Sequence, residues 1–187
     1  MKKIVITGGP CSGKTTTIDI LATHGHFILP EVAREVIAEE LNEAREDPNY
    51  TPKVPWTDQK IFQGMVAVRQ WYREQEIPKG LARVFLDRGI VDGLAYAAVF
   101  EEALPGLALE LIAKTQYDHV FFLEALPYQR DAERREDPEL AKRITQAIFA
   151  HYRAERYDVT RVPVMAPKDR VAFIEEEVLS WDTWRSS

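Results

Sequence analysis

The chain of 187 residues predicts a single three-layer α/β domain, residues 1–187, with a mostly parallel five-stranded sheet and helices on both faces. Short continuous apolar runs alternate with helix-like segments from end to end, and no repeat, low-complexity segment or linker divides the chain. Apolar strands separated by helices are typical of a parallel sheet that is covered on both sides. The length suffices for one full hydrophobic core.

Five short apolar runs are predicted to be the strands, because each is four to seven residues long and lies between helix-like segments. They cover Lys3–Ile6, His26–Leu29, Arg83–Leu86, His119–Leu123 and Val159–Met165.

The segments between these runs have helical spacing of apolar residues. The third of them is amphipathic, with an apolar stripe made by Ile61, Met65, Val68 and Tyr72. The predicted helices begin at Thr15 and continue with residues 31–45, 56–76, 90–102, 105–115, 140–152 and 169–179.

The connection between the first strand and the first helix is the most informative motif, because Gly-Gly-Pro-Cys-Ser-Gly-Lys-Thr fits the spacing GxxxxGK[ST] of a phosphate-binding loop (P-loop). Glycines let successive backbone N–H groups point inward at anionic oxygens, and the start of a helix adds partial positive charge. The predicted nucleotide-binding residues are Gly8, Gly9, Pro10, Cys11, Ser12, Gly13, Lys14, Thr15 and Thr16.

Two side chains of this motif have further predicted roles. Lys14 is a catalytic candidate that reaches the outer phosphates, and the Thr15 hydroxyl is a candidate Mg²⁺ ligand. The expected cofactors are therefore ATP or GTP together with Mg²⁺.

Asp87 ends the third strand, at the sheet edge where ligands bind in open parallel sheets. We expect it to hold Mg²⁺ or its water shell; the alternative is a salt bridge with Arg88 or a cap for the next helix. Arg88 and Asp92 are four residues apart, which suits a helical ion pair, but both are also candidates for contact with a substrate. The spacing does not decide between these roles.

Glu31 follows the second strand and begins a helix. An acid there stabilises the helix dipole, or it accepts the proton of a substrate hydroxyl that attacks the γ-phosphate. Arg34 lies one turn further on the same side and is a candidate to hold that substrate. The sequence leaves both readings of Glu31 open.

An arginine-rich segment, about residues 127–137, follows the fourth strand. It is either a solvated connection of mixed charge or a lid whose arginines close over the triphosphate. Arg130 and Arg134 are the catalytic candidates, with Arg135 beside them.

The composition limits the kinds of partner and the cellular location that we expect for the protein. A net charge of −6 argues against a nucleic acid as the main partner. A single cysteine, Cys11, allows no internal disulfide, and the longest apolar runs are too short for a membrane span, so we expect a cytoplasmic location. Trp181 and Trp184 are expected to cap the core or to form the contact of a homodimer.

With these motifs assembled, the chain resembles the NadR-like P-loop ATPases, a family related to the nicotinamide riboside kinase domain of the NAD-biosynthesis regulator. The resemblance covers nearly the full length. It depends on Ile6–Thr16, Pro30–Glu35 and Leu86–Asp92, and the tail at 161–164 with Arg170 and Val171 also fits. It implies a P-loop NTPase fold of the nucleoside and nucleotide kinase type.

The resemblance also implies roles for individual residues. Glu31 and Arg34 fall where nucleoside kinases place a base and a residue that holds the substrate. Asp87 and Arg88 fall where such kinases keep an acid and an arginine, and Arg130 and Arg134 align with lid arginines.

The leading hypothesis is a kinase that transfers the γ-phosphate of ATP to a hydroxyl of a nucleoside-like or other small acceptor. The alternative is an ATP- or GTP-dependent switch or binding module with only slow hydrolysis. The acceptor itself is not evident from the sequence.

Overall fold

A computed structural model describes residues 1–126 and 137–184, with side chains through Trp181. Its sheet has five parallel strands in the order β2-β3-β1-β4-β5. This confirms the predicted three-layer α/β fold. The strands are β1 Lys2–Thr7, β2 Ile28–Leu29, β3 Arg83–Asp87, β4 His119–Leu123 and β5 Val159–Val162.

Seven helices are present in the described part of the chain, and each corresponds to a predicted helical segment. They are α1 Lys14–Thr23, α2 Val32–Glu46, α3 Gln59–Gln75, α4 Asp92–Val99, α5 Gly106–Lys114, α6 Pro138–Ala154 and α7 Pro167–Trp184. None of them is both long and apolar enough to cross a lipid bilayer.

The two faces of the sheet have separate cores, because alternate residues of a strand point to opposite sides. On one face, Ile4 and Ile6 pack with side chains of α1 and α7. On the other face, Val5 packs with side chains of α3 to α6. A third, smaller cluster joins α2 to α3 through Val32, Val36 and Phe62.

The position of β1 at the centre of the sheet determines where the site lies. β1 pairs with β3 on one side and with β4 on the other, so Ile6 lies beside both Asp87 and Phe121. Because β3 and β4 lie on opposite sides of β1, the strand order reverses at β1, and this opens a crevice at its carboxyl end.

Helix α3 buries only part of its predicted apolar stripe: Met65 and Val68 are partly buried against the hydrophobic clusters. Ile61 and Tyr72 are 42% and 58% exposed. The fully buried positions include Ala67, Gln70 and Glu74 instead. The Glu74 carboxylate accepts hydrogen bonds from Gln70, from Lys3 and from a buried tyrosine of the α5–β4 connection, and these polar contacts orient the helix.

Two strands are shorter than predicted. β5 ends at Val162 because Pro163 follows and cannot donate a hydrogen bond to the ladder. β2 pairs with β3 only through Ile28 and Leu29.

Near the carboxyl terminus, the Trp181 ring lies 4.4 Å from the His119 ring and 5.9 Å from the Phe121 ring, measured between centroids. This packing fits the core-capping role expected of Trp181. The side chain of Trp184 lies outside the described residues.

Candidate active site

The loop between β1 and α1 is packed too tightly for side chains at its first two glycines. Gly8 has φ +153°, and a Cβ there would lie 2.6 Å from the carbonyl oxygen of Leu123. A Cβ at Gly9 would overlap the Thr145 side chain of α6. Further along, Cys11 has the left-handed φ of +59°, which helps to form a concave curl of backbone N–H groups. The geometry suits an anion such as a polyphosphate.

Arg170, in the first turn of α7, ties this loop to the neighbouring strand ends. It is 2% exposed. Its guanidinium donates to three backbone carbonyl oxygens: Ser12 in the loop, Glu124 after β4 and Pro163 after β5. The sequence indicated Arg170 only through the family resemblance, and this role was not predictable because its partners lie 7 to 158 residues away in the chain.

Lys14 is the first residue of α1 and lines the cavity beside the loop. Burial lowers the pKa of its ammonium to about 8, and the Arg88 guanidinium acts in the same direction. The carboxylates of Asp87, Glu31 and Asp92 oppose this shift. Lys14 is therefore a cation that lacks full solvation, which favours a strong interaction with an incoming phosphate.

Asp87, at the end of β3, is 8% exposed, and its Oδ1 atom is buried without a hydrogen-bonding partner. Burial raises its pKa to about 6, and the Glu31 carboxylate adds to the shift despite opposition from Lys14. An unpaired carboxylate oxygen and the hydroxyl of the exposed Thr15 are both oxygen donors of the kind that Mg²⁺ prefers.

Glu31 lies between two arginines. Its Oε1 accepts from Nε of Arg88 at 2.7 Å, and its Oε2 accepts from Nε of Arg34 at 2.7 Å. Burial alone would raise the pKa of Glu31, but the two guanidinium groups and Lys14 outweigh it and hold the pKa at about 2. The carboxylate is thus ionised and fixed in orientation at any physiological pH.

Arg88 is the central cation of the site and has the left-handed φ of +73°. Besides Glu31, its guanidinium donates to Asp92 Oδ2 at 2.8 Å and to the carbonyl oxygen of Gly8 at 3.3 Å. One side chain thus connects the phosphate loop with the chain segments after β2 and β3. The ion pair considered for Arg88 and Asp92 is present.

Asp92 is 4% exposed, and its carboxylate is fully occupied. It accepts from the hydroxyls of Thr7 and Tyr152, both at 2.8 Å at the closest, in addition to Arg88. These bonds favour a supporting role for Asp92, namely to hold Arg88. Its predicted contact with a substrate stays a prediction.

Most of the predicted site residues line one cavity of about 930 Å³ that continues from the phosphate loop into the space between α2, α3, α4 and α6, whereas Gly8, Gly9 and Asp87 do not line it. Thr15 and Thr16 lie at its exposed edge. The predicted residues that line it are Pro10, Cys11, Ser12, Gly13, Lys14, Thr15, Thr16, Glu31, Arg34, Arg88 and Asp92.

The structure does not bear on every candidate. Arg130 and Arg134, with most of the expected lid, lie outside the described residues. Conversely, the far part of the cavity, formed by side chains of α3 and α4, was not predicted. Its only sequence signal is a set of glutamines among the apolar positions of α3, Gln59, Gln63 and Gln70.

A protein-family model described as "AAA domain" matches residues 3–170, which include every described motif of the site. No curated protein sequence matches the chain.

Solved structures show where else this fold occurs. A deoxyadenosine kinase from M. mycoides, with dCMP and dCDP bound, has a TM-score of 0.63 and 16% identity over 95% of this chain and 99% of that chain. A thymidylate kinase from Ehrlichia chaffeensis has a TM-score of 0.62 and 17% identity over 96% and 97%. At such identities the likeness shows a shared fold, that of the nucleoside and nucleotide kinases.

The predicted resemblance to NadR is confirmed at the same level. A NadR protein in complex with NAD and AMP-PNP has a TM-score of 0.64 and 18% identity over 94% of this chain. The chain spans only 49% of that protein, so it corresponds to one part of NadR.

Proposed function

Because the chain belongs to the AAA domain family and has the fold of nucleoside and nucleotide kinases, we propose that it transfers the γ-phosphate of ATP to a hydroxyl of a small, nucleoside-like acceptor. One observation carries the proposal. The phosphate loop opens into a cavity of about 930 Å³ that extends well beyond Lys14, and the ionised Glu31 lines this cavity together with the loop. Hydrolysis would need room for only a water molecule.

In the proposed reaction the acceptor hydroxyl attacks the γ-phosphorus, the bond to the β-phosphate oxygen breaks, and the hydroxyl proton passes to the Glu31 carboxylate. A pKa of about 2 makes Glu31 a weak base. This is compatible with a loose transition state, in which the nucleophile loses its proton late and the main task of the carboxylate is to orient the hydroxyl. Arg34 and Arg88 hold the Glu31 carboxylate in place for this task.

Lys14 and the backbone N–H groups of the loop would bind the β- and γ-phosphates and neutralise charge as it develops. Asp87 and Thr15 would hold Mg²⁺, which would supply further neutralisation of the phosphate charge. Arg130 and Arg134 stay proposed lid residues that close over the triphosphate.

A switch or binding module that only hydrolyses ATP or GTP slowly is not favoured. The described neighbours are kinases or, in NadR, a protein solved with AMP-PNP. We take ATP as the donor for the same reason, with GTP as the second donor to test. Use of ATP and an unpaired cysteine suit the cytoplasm.

The test is ADP formation by the purified protein with Mg²⁺ and ATP, with and without a panel of nucleosides and other small hydroxyl compounds. We expect turnover that depends on an acceptor. Glu31→Gln should lower kcat by about 10²- to 10⁴-fold with little change in ATP affinity, since the lost group acts on the transferred proton. Hydrolysis of ATP at the same rate with and without every acceptor would contradict the proposal.

Glu35→Gln is a matched control, because Glu35 lies one turn further along α2 and pairs with Arg73 instead of the site. It should leave kcat unchanged. A similar loss in both variants would remove Glu31 from the mechanism.

A further inference from the structure

The chain segment that carries Arg88 makes a sharp turn directly after β3. We call residues 88–90 the Arg88 turn. Arg88 has the left-handed φ of +73°, which is unfavourable for a residue with a Cβ atom. Such a conformation persists only where the surrounding structure holds it. The direction of the Arg88 guanidinium, and with it the position of the Glu31 carboxylate that it binds, therefore depends on the groups that hold this turn.

Tyr117, the buried tyrosine of the α5–β4 connection, holds the backbone of the turn. The Ile90 N–H donates to the Tyr117 hydroxyl at 2.8 Å, and this hydroxyl donates to Glu74 Oε1, also at 2.8 Å. Burial raises the pKa of Tyr117 well above its usual range, and the Glu74 carboxylate adds to the shift. The hydroxyl therefore keeps its proton, and it donates to Glu74 while it accepts from Ile90.

The Tyr117 ring also packs against the turn, at Gly89. A Cβ atom at Gly89 would lie 2.8 Å from the Tyr117 ring and 2.6 Å from the hydroxyl of Tyr152. The Tyr152 hydroxyl donates to Asp92, which also accepts from Arg88. Two tyrosines thus enclose the turn: one binds its backbone, and the other binds a counter-ion of its arginine.

Glu74 is held in place by charge and by hydrogen bonds. Its Oε2 accepts from the Lys3 ammonium at 2.8 Å, and its Oε1 accepts from Gln70 at 3.0 Å as well as from Tyr117. Hydrogen bonds in series polarise one another, so a hydroxyl that donates to a carboxylate is a better acceptor at its own oxygen. Glu74 therefore strengthens the bond between Tyr117 and Ile90.

Tyr117 and Glu74 do not line the cavity, whereas Gly89 and Ile90 do. An effect of these two side chains on a bound ligand must therefore pass through the Arg88 turn. We propose that Tyr117, oriented by Glu74, is a positioning residue of this site. Its hydroxyl fixes the Arg88 turn and thereby the direction in which Arg88 holds the Glu31 carboxylate. The inference rests on the proposed function and deepens it, because that function requires Glu31 to be oriented toward the acceptor hydroxyl.

Hydrogen exchange followed by NMR at pH 6, on the protein without ligands, measures the turn directly. Tyr117→Phe removes the hydroxyl and keeps the ring. The Ile90 amide and the Arg88 Nε–H should then exchange at least about tenfold faster relative to the backbone amides of β1, because the turn opens locally. A loss of overall stability alone would accelerate exchange in the turn and in β1 by the same factor.

Kinetics measure the consequence for the reaction, at a temperature at which circular dichroism shows each variant to be folded. ADP formation from ATP with Mg²⁺ is followed with adenosine, guanosine, cytidine, uridine and D-ribose as acceptors. For each compound that is phosphorylated, Tyr117→Phe should lower kcat at least about tenfold, as expected when a reacting group is misplaced. The KM of that compound and the Kd of AMP-PNP should change by less than about threefold.

Tyr157→Phe is the matched control. The Tyr157 ring lies 5.6 Å from the Tyr117 ring, but its hydroxyl donates to the carbonyl oxygen of Thr115. This variant should leave kcat unchanged, as well as the exchange of the turn relative to β1. Equal effects of the two substitutions, or faster exchange by the same factor in β1 and in the turn of Tyr117→Phe, would overturn the inference.

Glu74 provides a second test through a conservative change. Glu74→Gln keeps an oxygen that can accept from Tyr117 and should retain kcat within about threefold. Glu74→Leu removes that oxygen and should lower kcat clearly. In the Tyr117→Phe background, however, Glu74→Leu should lower kcat no further, because both residues act through the same bond. Equal kcat values for Glu74→Gln and Glu74→Leu also overturn the inference.

Failure of the inference and failure of the proposed function give different results. Faster exchange confined to the Arg88 turn, without phosphorylation of any acceptor by the unmodified protein, supports the role of Tyr117 in holding Arg88 and contradicts the kinase. Acceptor-dependent turnover that is the same in Tyr117→Phe and in the unmodified protein supports the kinase and overturns the inference.

Discussion

Lys14 is an ammonium group in a site that is poorly hydrated before the nucleotide binds. Burial holds its pKa at about 8, close enough to neutrality for the group to titrate in an ordinary binding experiment. Phosphate oxygens stabilise the charged form, so the pKa of Lys14 must rise when a nucleotide binds.

The affinity for ATP should therefore fall as the pH increases above about 8, by up to about tenfold per pH unit, and binding should take up a proton. Calorimetry at pH 8.5 in two buffers of different ionisation enthalpy measures that uptake. Lys14→Met should bind ATP weakly with no proton uptake from this group. A Kd that is constant between pH 7 and pH 9.5 would contradict the expectation.

Asp87 is a charged group whose ionisation costs stability. Its pKa is about 6 in the folded protein against 3.8 in the unfolded chain, so the penalty is complete above pH 6 and disappears below pH 3.8. Asp87→Asn should raise the free energy of unfolding at pH 7 by about 1 to 3 kcal/mol and abolish Mg²⁺-dependent turnover. Urea denaturation at pH 7 and at pH 4 measures the effect, which should be smaller at pH 4. Equal effects at both pH values would contradict this origin.

The phosphate loop was predictable because its motif is local, with the functional groups spaced over eight consecutive residues. The partners of Arg88 were only partly predictable. Asp92 is four residues away and was considered, whereas Gly8 and Glu31 lie 80 and 57 residues away in the chain. Contacts over such distances depend on strand order, which the sequence pattern does not specify.

Helix α6 supports the site through two contacts and also lines the cavity. Gly9 of the phosphate loop packs against its Thr145, and its Tyr152 hydroxyl donates to Asp92. The helix thus contacts both the loop and the carboxylate that holds Arg88.

Tyr152→Phe should lower stability by about 1 to 2 kcal/mol and reduce kcat several-fold, because Asp92 loses one of its donors. Tyr157→Phe is the control: its hydroxyl donates to the backbone carbonyl of Thr115, away from the site. It should cost similar stability and leave kcat unchanged, which thermal denaturation and steady-state kinetics measure. Equal kcat values for Tyr152→Phe and the unmodified protein would contradict the coupling.

Helix α3 shows where pattern reasoning at the level of an element fails. Its position in the chain was predicted nearly correctly, but only Met65 and Val68 of its predicted apolar stripe pack against the hydrophobic clusters. The apolar stripe includes Tyr72, which is exposed, while the buried set includes Gln63 and Gln70. Polar residues that serve a cavity or a buried network cannot be recognised from apolar spacing.

At the scale of the whole molecule, Arg170 joins the carboxyl ends of β4 and β5 to the phosphate loop. Arg170→Met should lower the free energy of unfolding by about 2 to 4 kcal/mol, because three carbonyl oxygens lose a charged donor, and should weaken ATP binding. Arg69→Met, which removes a surface ion pair with Glu39, should cost less than about 1 kcal/mol. Chemical denaturation and ATP titration of both variants provide the comparison. Similar losses in the two would contradict the role of Arg170.

The sharing of one guanidinium by Glu31, Asp92 and Gly8 has a consequence for sequence change. Substitutions at Arg88 and its two acids should show epistasis in stability: once Arg88 is replaced, a second replacement at Glu31 or Asp92 should lower the free energy of unfolding little further. If Arg88 is lost and one of its acids is retained, the buried carboxylate has no counter-charge. The protein is then less stable than if Arg88 and the acid are lost together. In related sequences Arg88, Glu31 and Asp92 are therefore expected to change together, although Glu31 is distant from the other two in the chain.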